Sequence, residues 1–325
     1  MPAIVFTYGH GASKSHWSYN YAGLLYAKLG LVVLAIDPIG EEERHAEGRR
    51  GTREHDRENV DKRATAAGRL IMGKLVFDTM RGIDFLQDRP DVDRERIGVV
   101  GYSLGGAVAG WMAALDRRVK MAIVAGWAYD DAVVKSSKLC TRIPNSRMRE
   151  LCSWAEYASL GAPNCAVLLM NGDADTIIDR AGDQSAWKGT KDAVATASQV
   201  YSDLEASGAG IECWFEPDGG HRPYFADKPA LLWIHRVLGT PGWSEAQIQQ
   251  LPTVNAGRWC DAHGIRLEKL YGTELHDRGA SLVDFKLTPT PPDKLKCLKS
   301  DEVGSPQFTI EGWLDVVAAS SRENE

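Results

Sequence analysis

The chain has 325 residues, of which 44% are hydrophobic and 25% are charged, and its formal net charge is -6. This length and composition are typical of a globular protein with one large α/β domain or two modest ones. The acidic balance, with a pI of about 5.8, argues against nucleic acid or an anionic membrane as an obligate partner. No run of about 18 apolar residues occurs, so no transmembrane segment is predicted.

The N-terminal stretch MPAIVFTYGHG has no basic segment followed by an apolar one, so it does not read as a signal peptide. We therefore expect a soluble protein; a trimmed N-terminus would leave a cytoplasmic and a secreted location both open. The six cysteines match no zinc spacing. Cys140 and Cys152 lie in a predicted loop and would pair if the compartment is oxidising.

Strand-like and helix-like segments alternate over residues 3–238. The strand-like runs are Ala3–Tyr8, Leu31–Ile36, Ile97–Val100, Met121–Ala125, Ala166–Met170 and Ile211–Phe215. The helix-like stretches are Trp17–Leu29, Ala64–Leu86, Gly105–Leu115, Thr190–Ala206 and Pro229–Leu238. This alternation predicts an α/β fold with a doubly wound, mostly parallel sheet of about six strands, covered by helices on both faces. Ligands of such sheets bind at the carboxyl ends of the strands.

Three segments interrupt the alternation. Residues 41–63 are almost wholly charged, which is typical of a solvated loop; because they follow a strand, they are alternatively the rim of an active site. Residues 128–163 are expected to form a lid-like insertion. A Pro-rich spacer at residues 287–296 lies within a predicted C-terminal extension, 241–325, which is packed on or tethered to a catalytic domain of residues 1–240.

The strand Ile97–Val100 runs into the sequence GYSLGG and then into a helical pattern, which places Ser103 on the bend between the two. Gly-Tyr-Ser-Leu-Gly fits G-x-S-x-G, a turn on which a strained, exposed serine serves as a nucleophile. A helix N-cap is the alternative role for this serine. The strand before it and the helix after it favour the nucleophile.

A serine nucleophile needs a base, and the base needs an acid that orients it. His221 follows a strand and precedes a helix, so it lies on a loop at the carboxyl edge of the sheet. The turn GDAD after the fifth strand offers Asp173 and Asp175 as the acid, with Asp179 as a weaker third choice. His45, His55, His263 and His276 lie in charged or peripheral stretches and are expected to be solvated. His235 falls within a helix and is expected to be a core or surface residue.

Charge that develops on a substrate carbonyl needs preorganised donors. The amide of Leu104, directly after the nucleophile, begins a helix and is the first candidate. The second candidate is the Ala12 amide, in the glycine-flanked turn after the first strand. The residues that could line the pocket are His10, His16, Trp17, Tyr102 and Trp127, although core packing is the simpler role for the two tryptophans. The acidic pattern D-x-D-x-x-x-D lacks the glycine and the closing glutamate of a calcium loop, so neither a metal nor a cofactor is expected.

These motifs together resemble the α/β-hydrolases, and more narrowly their dienelactone hydrolase and acetyl xylan esterase-like branch. The residues that carry the resemblance are GHG at 9–11, DPIGEEER at 37–44, RPDVDRERIGVVGYSLGG at 89–106, NGDAD at 171–175 and GGH at 219–221. The resemblance covers roughly residues 3–238 and implies that Asp175, rather than Asp173, is the acid. Members of this branch carry one or two further strands before the His-Gly turn, whereas only nine residues precede His10 here. If Ala3–Tyr8 were an uncovered edge strand, it would favour pairing with another chain, and hence a homo-oligomer.

The sequence thus predicts a serine hydrolase that cleaves a small-molecule or carbohydrate carboxylic ester through an acyl-enzyme. Ser103 is the nucleophile, His221 the base and Asp175 the acid. Two alternatives remain: a prolyl-oligopeptidase-like peptidase, which shares sheet and triad, and a non-catalytic binding protein with the same fold.

Overall fold

The computed structural model describes residues 1–131, 150–206, 208–265 and 281–322. Six strands form one sheet in the order β2-β1-β3-β4-β5-β6, and every neighbouring pair is parallel. The strands are β1 (Ala3–Thr7), β2 (Val32–Ala35), β3 (Ile97–Tyr102), β4 (Val119–Ala125), β5 (Ala166–Gly172) and β6 (Ile211–Glu216). The predicted α/β fold with a six-stranded parallel sheet is confirmed.

The strand order corrects the prediction of an uncovered first strand. β1 lies inside the sheet, where Val5 is paired with Leu34 of β2 on one side and with Val99 of β3 on the other. The edges of the sheet are β2 and β6. The argument for a homo-oligomer that relied on an exposed β1 therefore no longer applies.

Helices cover both faces of the sheet. They are α1 (Trp17–Lys28), α2 (Glu58–Ala66), α3 (Ile71–Gln87), α4 (Leu104–Leu115), α5 (Trp154–Ser159), α6 (Ser185–Asp203), α7 (Lys228–Leu238), α8 (Glu245–Gln250), α9 (Ala256–Ala262) and α10 (Ile310–Arg322). Apolar residues of β1 alternate between two core layers, with Val5 in the layer under α3 and α4 and Phe6 in the layer under α1 and α7. Each face of the sheet is thus buried by a separate set of helices.

The helix predicted over residues 64–86 is in fact two helices, α2 and α3. Gly68 adopts a left-handed conformation (φ 65°) directly after α2, and the Arg69 amide turns back to donate to the Ala64 carbonyl, 2.8 Å away. A glycine at this position ends a helix because it has no Cβ to clash. The apolar periodicity continues across the break, so the pattern alone did not reveal it.

The charged segment 41–63 is solvated only in part. Residues 46–51 are exposed, but Glu41, Glu43, His45 and His55 are buried, so the prediction of a solvated loop is wrong for them. Backbone amides and cations, rather than water, are the polar partners of these buried side chains. For example, the Arg53 amide donates to the Glu41 carboxylate (2.6 Å). Charged side chains are buried where such partners are available.

The extension after residue 240 packs on the rest of the chain. It carries a small antiparallel sheet of β7 (Thr253–Asn255) and β8 (Ser281–Val283), which the sequence analysis did not predict. The Tyr21 hydroxyl of α1 donates to the Val283 carbonyl, and the Trp259 indole donates to the Leu287 carbonyl (3.0 Å). Within the described part of the chain, no helix has the length and apolar composition needed to cross a membrane.

Of the predicted lid, residues 128–163, the stretch 132–149 lies outside the described residues, as does the predicted partner of Cys152, Cys140. The later part forms α5, whose Trp154 and Tyr157 are buried beside Tyr129 in the core layer under α4 and α6.

Candidate active site

Ser103 lies directly after β3 and directly before α4. Its backbone has φ 57° and ψ -118°, a conformation that side-chain-bearing residues rarely adopt. Its amide donates to the Ala125 carbonyl of β4 (2.9 Å), which fixes the turn to the neighbouring strand. The strained turn thus presents the serine at the carboxyl edge of the sheet, as the G-x-S-x-G motif predicts.

Glycines make this turn sterically feasible. A Cβ added to Gly101 would lie 2.0 Å from the Gly105 carbonyl oxygen, and one added to Gly105 would lie 2.1 Å from the Thr7 carbonyl oxygen. Side chains cannot occupy these positions, because α4 begins against the end of β1 and β3. The Thr7 hydroxyl reinforces the contact by donating to the Gly105 carbonyl (2.7 Å).

The structure brings Ser103, His221 and Asp175 together. His221 Nε2 lies 3.0 Å from Ser103 Oγ, and His221 Nδ1 lies 2.6 Å from Asp175 Oδ2. The second carboxylate oxygen of Asp175 accepts the amides of Ile177 (2.9 Å) and Ile178 (3.2 Å). Asp175 is 1% exposed and His221 is partly buried, so the hydrogen-bond chain leads from the interior to an accessible serine.

Neither of the other two acids takes this position. The Asp179 carboxylate accepts the Gln184 amide (2.8 Å). Asp173 contributes its backbone carbonyl, which accepts the Trp187 indole (3.2 Å) and the Gln184 side chain (2.7 Å). The described hydrogen bonds therefore join His221 to Asp175 and not to Asp173 or Asp179.

The loops that carry the acid and the histidine are packed against each other by glycines. A Cβ on Gly172 would lie 2.0 Å from the Gly219 carbonyl oxygen, and the Ala174 amide donates to that carbonyl (2.9 Å). The Tyr224 hydroxyl donates to the Gly220 carbonyl (2.8 Å), directly before His221. These contacts fix the separation between the carboxylate and the imidazole.

Tyr102 and Gly126 hold the other side of the imidazole. The Tyr102 hydroxyl donates to the His221 carbonyl (2.8 Å), and its ring lies 4.8 Å from the imidazole. Gly126 has φ 59°, and a Cβ there would lie 3.1 Å from His221 Cε1. The sequence analysis missed Gly126; its signal was a glycine directly after a buried strand.

The two predicted oxyanion donors differ in the structure. The Leu104 amide, at the start of α4, has no hydrogen-bond partner among the described residues. The Ala12 amide instead donates to the Gly9 carbonyl within its own turn (3.0 Å), which argues against its predicted role. The internal hydrogen bonding of this turn could not be read from the glycine pattern.

The remaining predicted pocket residues are mostly buried. His16 caps the start of α1, and burial, reinforced by the charge of Arg50, lowers its pKa to about 3. Trp17 packs near Trp259 of the extension, and Trp127 is buried with its backbone paired to the Asn171 side chain. Both tryptophans therefore lie in the core layers, the simpler of their two predicted roles.

His10 follows Gly9 in the turn after β1, and Gly9 lies next to Ser103. A Cβ on the preceding Gly9 would lie 3.5 Å from Ser103 Cβ. The His10 ring reaches toward the charged segment, where its Nε2 is 3.0 Å from Asp56 Oδ2. Segment 41–63 thus contacts the turn next to Ser103, which supports its interpretation as a rim. Of the histidines predicted to be solvated, His45 and His55 are buried, His263 is partly buried, and His276 lies outside the described residues.

Comparisons with known proteins find similarity over part of the chain. Residues 1–129 match the acetyl xylan esterase (AXE1) family. The putative hydrolase YtaP of Bacillus subtilis is 34% identical over 133 residues, which cover 38% of this chain and 42% of that protein. The chain spans less than half the length of the curated relatives it matches.

Two solved structures share the fold. A puromycin-hydrolysing peptidase of Mycobacterium tuberculosis superposes with a TM-score of 0.52 at 15% identity, covering 73% of this chain and 34% of that one. A carbohydrate esterase family 15 glucuronoyl esterase from Caldicellulosiruptor kristjansonii gives 0.50 at 16% identity, covering 75% and 72%. The chain therefore has the α/β-hydrolase fold, and the predicted resemblance to the acetyl xylan esterase branch is confirmed over its first 129 residues.

Proposed function

We propose that the protein is a serine hydrolase that cleaves carboxylic esters through an acyl-enzyme. The observation that carries the proposal is the continuous hydrogen-bond chain from Ser103 through His221 to the buried Asp175, with the serine on a strained turn. A serine hydroxyl becomes nucleophilic when a histidine accepts its proton and a carboxylate orients that histidine.

In the proposed reaction, Ser103 Oγ attacks the ester carbonyl carbon while His221 Nε2 takes the hydroxyl proton. The carbonyl oxygen becomes an oxyanion, which accepts the Leu104 amide at the start of α4. Collapse breaks the bond to the alcohol oxygen, and His221 returns the proton to the leaving alcohol. Water, deprotonated by His221, then attacks the acyl carbon. The bond between that carbon and Ser103 Oγ breaks, and His221 returns the proton to Oγ, which releases the acid and restores the serine. Asp175 stays ionised and stabilises the imidazolium.

The match of residues 1–129 to acetyl xylan esterases favours a small acyl group such as acetyl. A carbohydrate or other small-molecule alcohol would be the leaving group. The peptidases among the structural neighbours share only the fold with this chain, so they give no support to a peptidase activity.

The first test compares hydrolysis of p-nitrophenyl acetate, butyrate and octanoate by the parent and by Ser103→Ala. We expect the parent to favour the acetate and the variant to lose at least about a thousandfold in kcat, because the nucleophile is gone. Ser198→Ala, which changes an exposed serine of α6, is the matched control and should keep full activity. A fluorophosphonate probe should label the parent and the control but not Ser103→Ala.

Residual activity of Ser103→Ala within tenfold of the parent would contradict the assignment of the nucleophile. If no protein hydrolysed the esters or took the label, the non-catalytic binding protein would become the better explanation. A circular dichroism spectrum equal to that of the parent ensures that a loss of activity reflects chemistry rather than folding.

A further inference from the structure

A second cluster of chemically capable side chains lies between the turn after β1 and the charged segment 41–63. It consists of His10, in the turn, and of His55 and Asp56, in a 3₁₀ turn over residues 54–56. One ring nitrogen of each histidine and one oxygen of the carboxylate all lie within 4.8 Å of one another. His55 and Asp56 are buried and His10 is nearly so. The proposed ester hydrolysis does not use these three side chains.

His55 is the unusual member of the cluster. Its ring is 1% exposed, yet neither ring nitrogen makes a well-formed hydrogen bond within the described part of the chain. Its polar neighbours are the Ile39 carbonyl, His10 and Asp56, whose Oδ2 lies 3.8 Å from His55 Nε2. Buried polar side chains nearly always have a partner. The Ile39 carbonyl is able to accept from one ring nitrogen of His55, which leaves the other nitrogen available to a ligand.

The separations within the cluster match those of ligands around one ion. Zinc binds nitrogen and oxygen at about 2.0–2.2 Å, which places two ligands of a tetrahedral ion about 3.4 Å apart. Asp56 Oδ2 is 3.0 Å from His10 Nε2 and 3.8 Å from His55 Nε2, on either side of that value. Two imidazoles and a carboxylate favour zinc, cobalt or nickel over magnesium or calcium, which prefer oxygen ligands.

We propose that His10, His55 and Asp56 bind a divalent transition-metal ion of the zinc type. Three protein ligands leave at least one coordination position for water or another ligand. The ion would join segment 41–63 to the turn next to Ser103 and so fix the rim of the site. This site goes beyond the proposed esterase chemistry. It also revises the expectation of no metal, which considered the cysteine spacing and the aspartates of residues 173–179 but not this cluster.

The test measures metal binding directly and does not depend on ester hydrolysis. All proteins carry Cys297→Ser, since Cys297 is exposed and a thiolate would bind metal on its own. After treatment with a chelator and its removal, each protein is titrated with Co²⁺, followed by its visible absorption, and with Zn²⁺, followed by calorimetry. We expect the parent to bind one equivalent, and Ser103→Ala to bind equally well.

The variants that address the cluster are His55→Ala and the isosteric Asp56→Asn, each expected to weaken binding at least tenfold. Loss of a ligand removes one coordinate bond, whereas the isosteric change preserves the shape of the loop. His235→Gln, at a histidine that bonds to Thr240 far along the chain, is the matched control and should bind like the parent.

Absence of saturable binding in the parent would overturn the proposal, and so would equal binding by the parent and by folded Asp56→Asn. If His55→Ala fails to fold, the comparison of metal binding between the parent and Asp56→Asn tests the proposal on its own. Ser103→Ala is titrated in parallel, so metal binding is measured independently of ester hydrolysis. If the protein binds metal but hydrolyses no ester, the metal-site proposal stands and the proposed esterase function is contradicted.

Discussion

At the scale of single residues, the site depends on how each polar atom of Asp175 is used. One oxygen faces His221 Nδ1, and the other accepts two backbone amides. A carboxylate held in this way has a fixed orientation. It therefore favours the imidazole tautomer that carries its proton on Nδ1, which leaves Nε2, facing the serine, unprotonated. Asp173, two residues earlier on the same loop, makes its described contacts through its backbone.

Exchange of each aspartate for asparagine separates the two positions. We expect Asp175→Asn to lower kcat on p-nitrophenyl acetate by about 10³–10⁴-fold, because an amide cannot stabilise the imidazolium and favours the wrong tautomer. Asp173→Asn should change kcat by less than about tenfold, since its carboxylate has no described bond to His221. Steady-state kinetics of both variants provides the measurement, and the reverse order would move the acid by two residues.

The residues of this loop also mark the limit of what the sequence could predict. A strand followed by GDAD placed an acid at the carboxyl edge, but residue types alone left Asp173 and Asp175 open. The choice depends on backbone contacts between loops, such as that of Gly172 with Gly219, which are 47 positions apart in the chain. The prediction of the Ala12 amide as an oxyanion donor met the same limit. This amide donates to the Gly9 carbonyl within its own turn, and the residue types do not reveal that hydrogen bond.

At the scale of elements, the unit formed by β3, the serine turn and α4 is fixed by close backbone packing. Gly101 and Gly105 are in contact with each other and with the end of β1, at distances that leave no room for a Cβ. This packing explains why the motif could be recognised from sequence: its glycines are steric requirements, and its flanking apolar runs are the strand and the helix. Gly68 interrupts the helix predicted over residues 64–86 because its φ is positive. The hydrophobic periodicity of the sequence does not reveal this backbone conformation.

Gly105→Ala tests the steric requirement. The added methyl would lie 2.1 Å from the Thr7 carbonyl oxygen, a backbone atom that cannot move aside cheaply. We expect the free energy of unfolding to fall by about 3 kcal/mol or more, with loss of ester hydrolysis. Gly73→Ala is the control: its new methyl would lie 4.0 Å from the nearest atom, within α3, and should stabilise by up to about 1 kcal/mol.

Urea denaturation measures both changes. Equal stability of Gly105→Ala and the parent would show that α4 can shift away from β1, and that the glycine is not needed for close approach.

At the scale of the whole molecule, the C-terminal extension is joined to the first half of the chain through buried polar groups. Glu43, in the charged segment, accepts the amides of Cys297 (2.9 Å) and Leu298 (2.7 Å) and pairs with the ammonium of Lys14. Lys14 also pairs with Asp37 at 3.0 Å. The charge run was predicted to be solvated because composition does not show that a partner 254 residues away supplies its hydrogen bonds.

Glu43→Gln tests whether this contact stabilises the molecule. The variant removes a charge from a buried pair and weakens two hydrogen bonds to a charged acceptor, at a cost of about 2–3 kcal/mol. Burial opposes ionisation of Glu43, but Lys14 and the two amides prevail and hold its pKa below the ordinary value of 4.5. A carboxylate with a lowered pKa stabilises the fold fully above its unfolded value and loses that contribution as the pH falls through the folded value.

The difference in unfolding free energy between parent and Glu43→Gln should therefore be largest at pH 7 and shrink as the pH falls below about 4.5. Urea denaturation at pH 7 and pH 4 measures it, and limited proteolysis should cut the extension near residue 298 faster in the variant. Glu47→Gln is the matched control in the same segment: its side chain is 67% exposed and forms an ion pair with the exposed Arg49, so its effect should stay within about 0.5 kcal/mol. Equal stability of the two variants at pH 7 would mean that this contact adds nothing measurable and that the other contacts of the extension, such as that of Tyr21 with Val283, hold it in place.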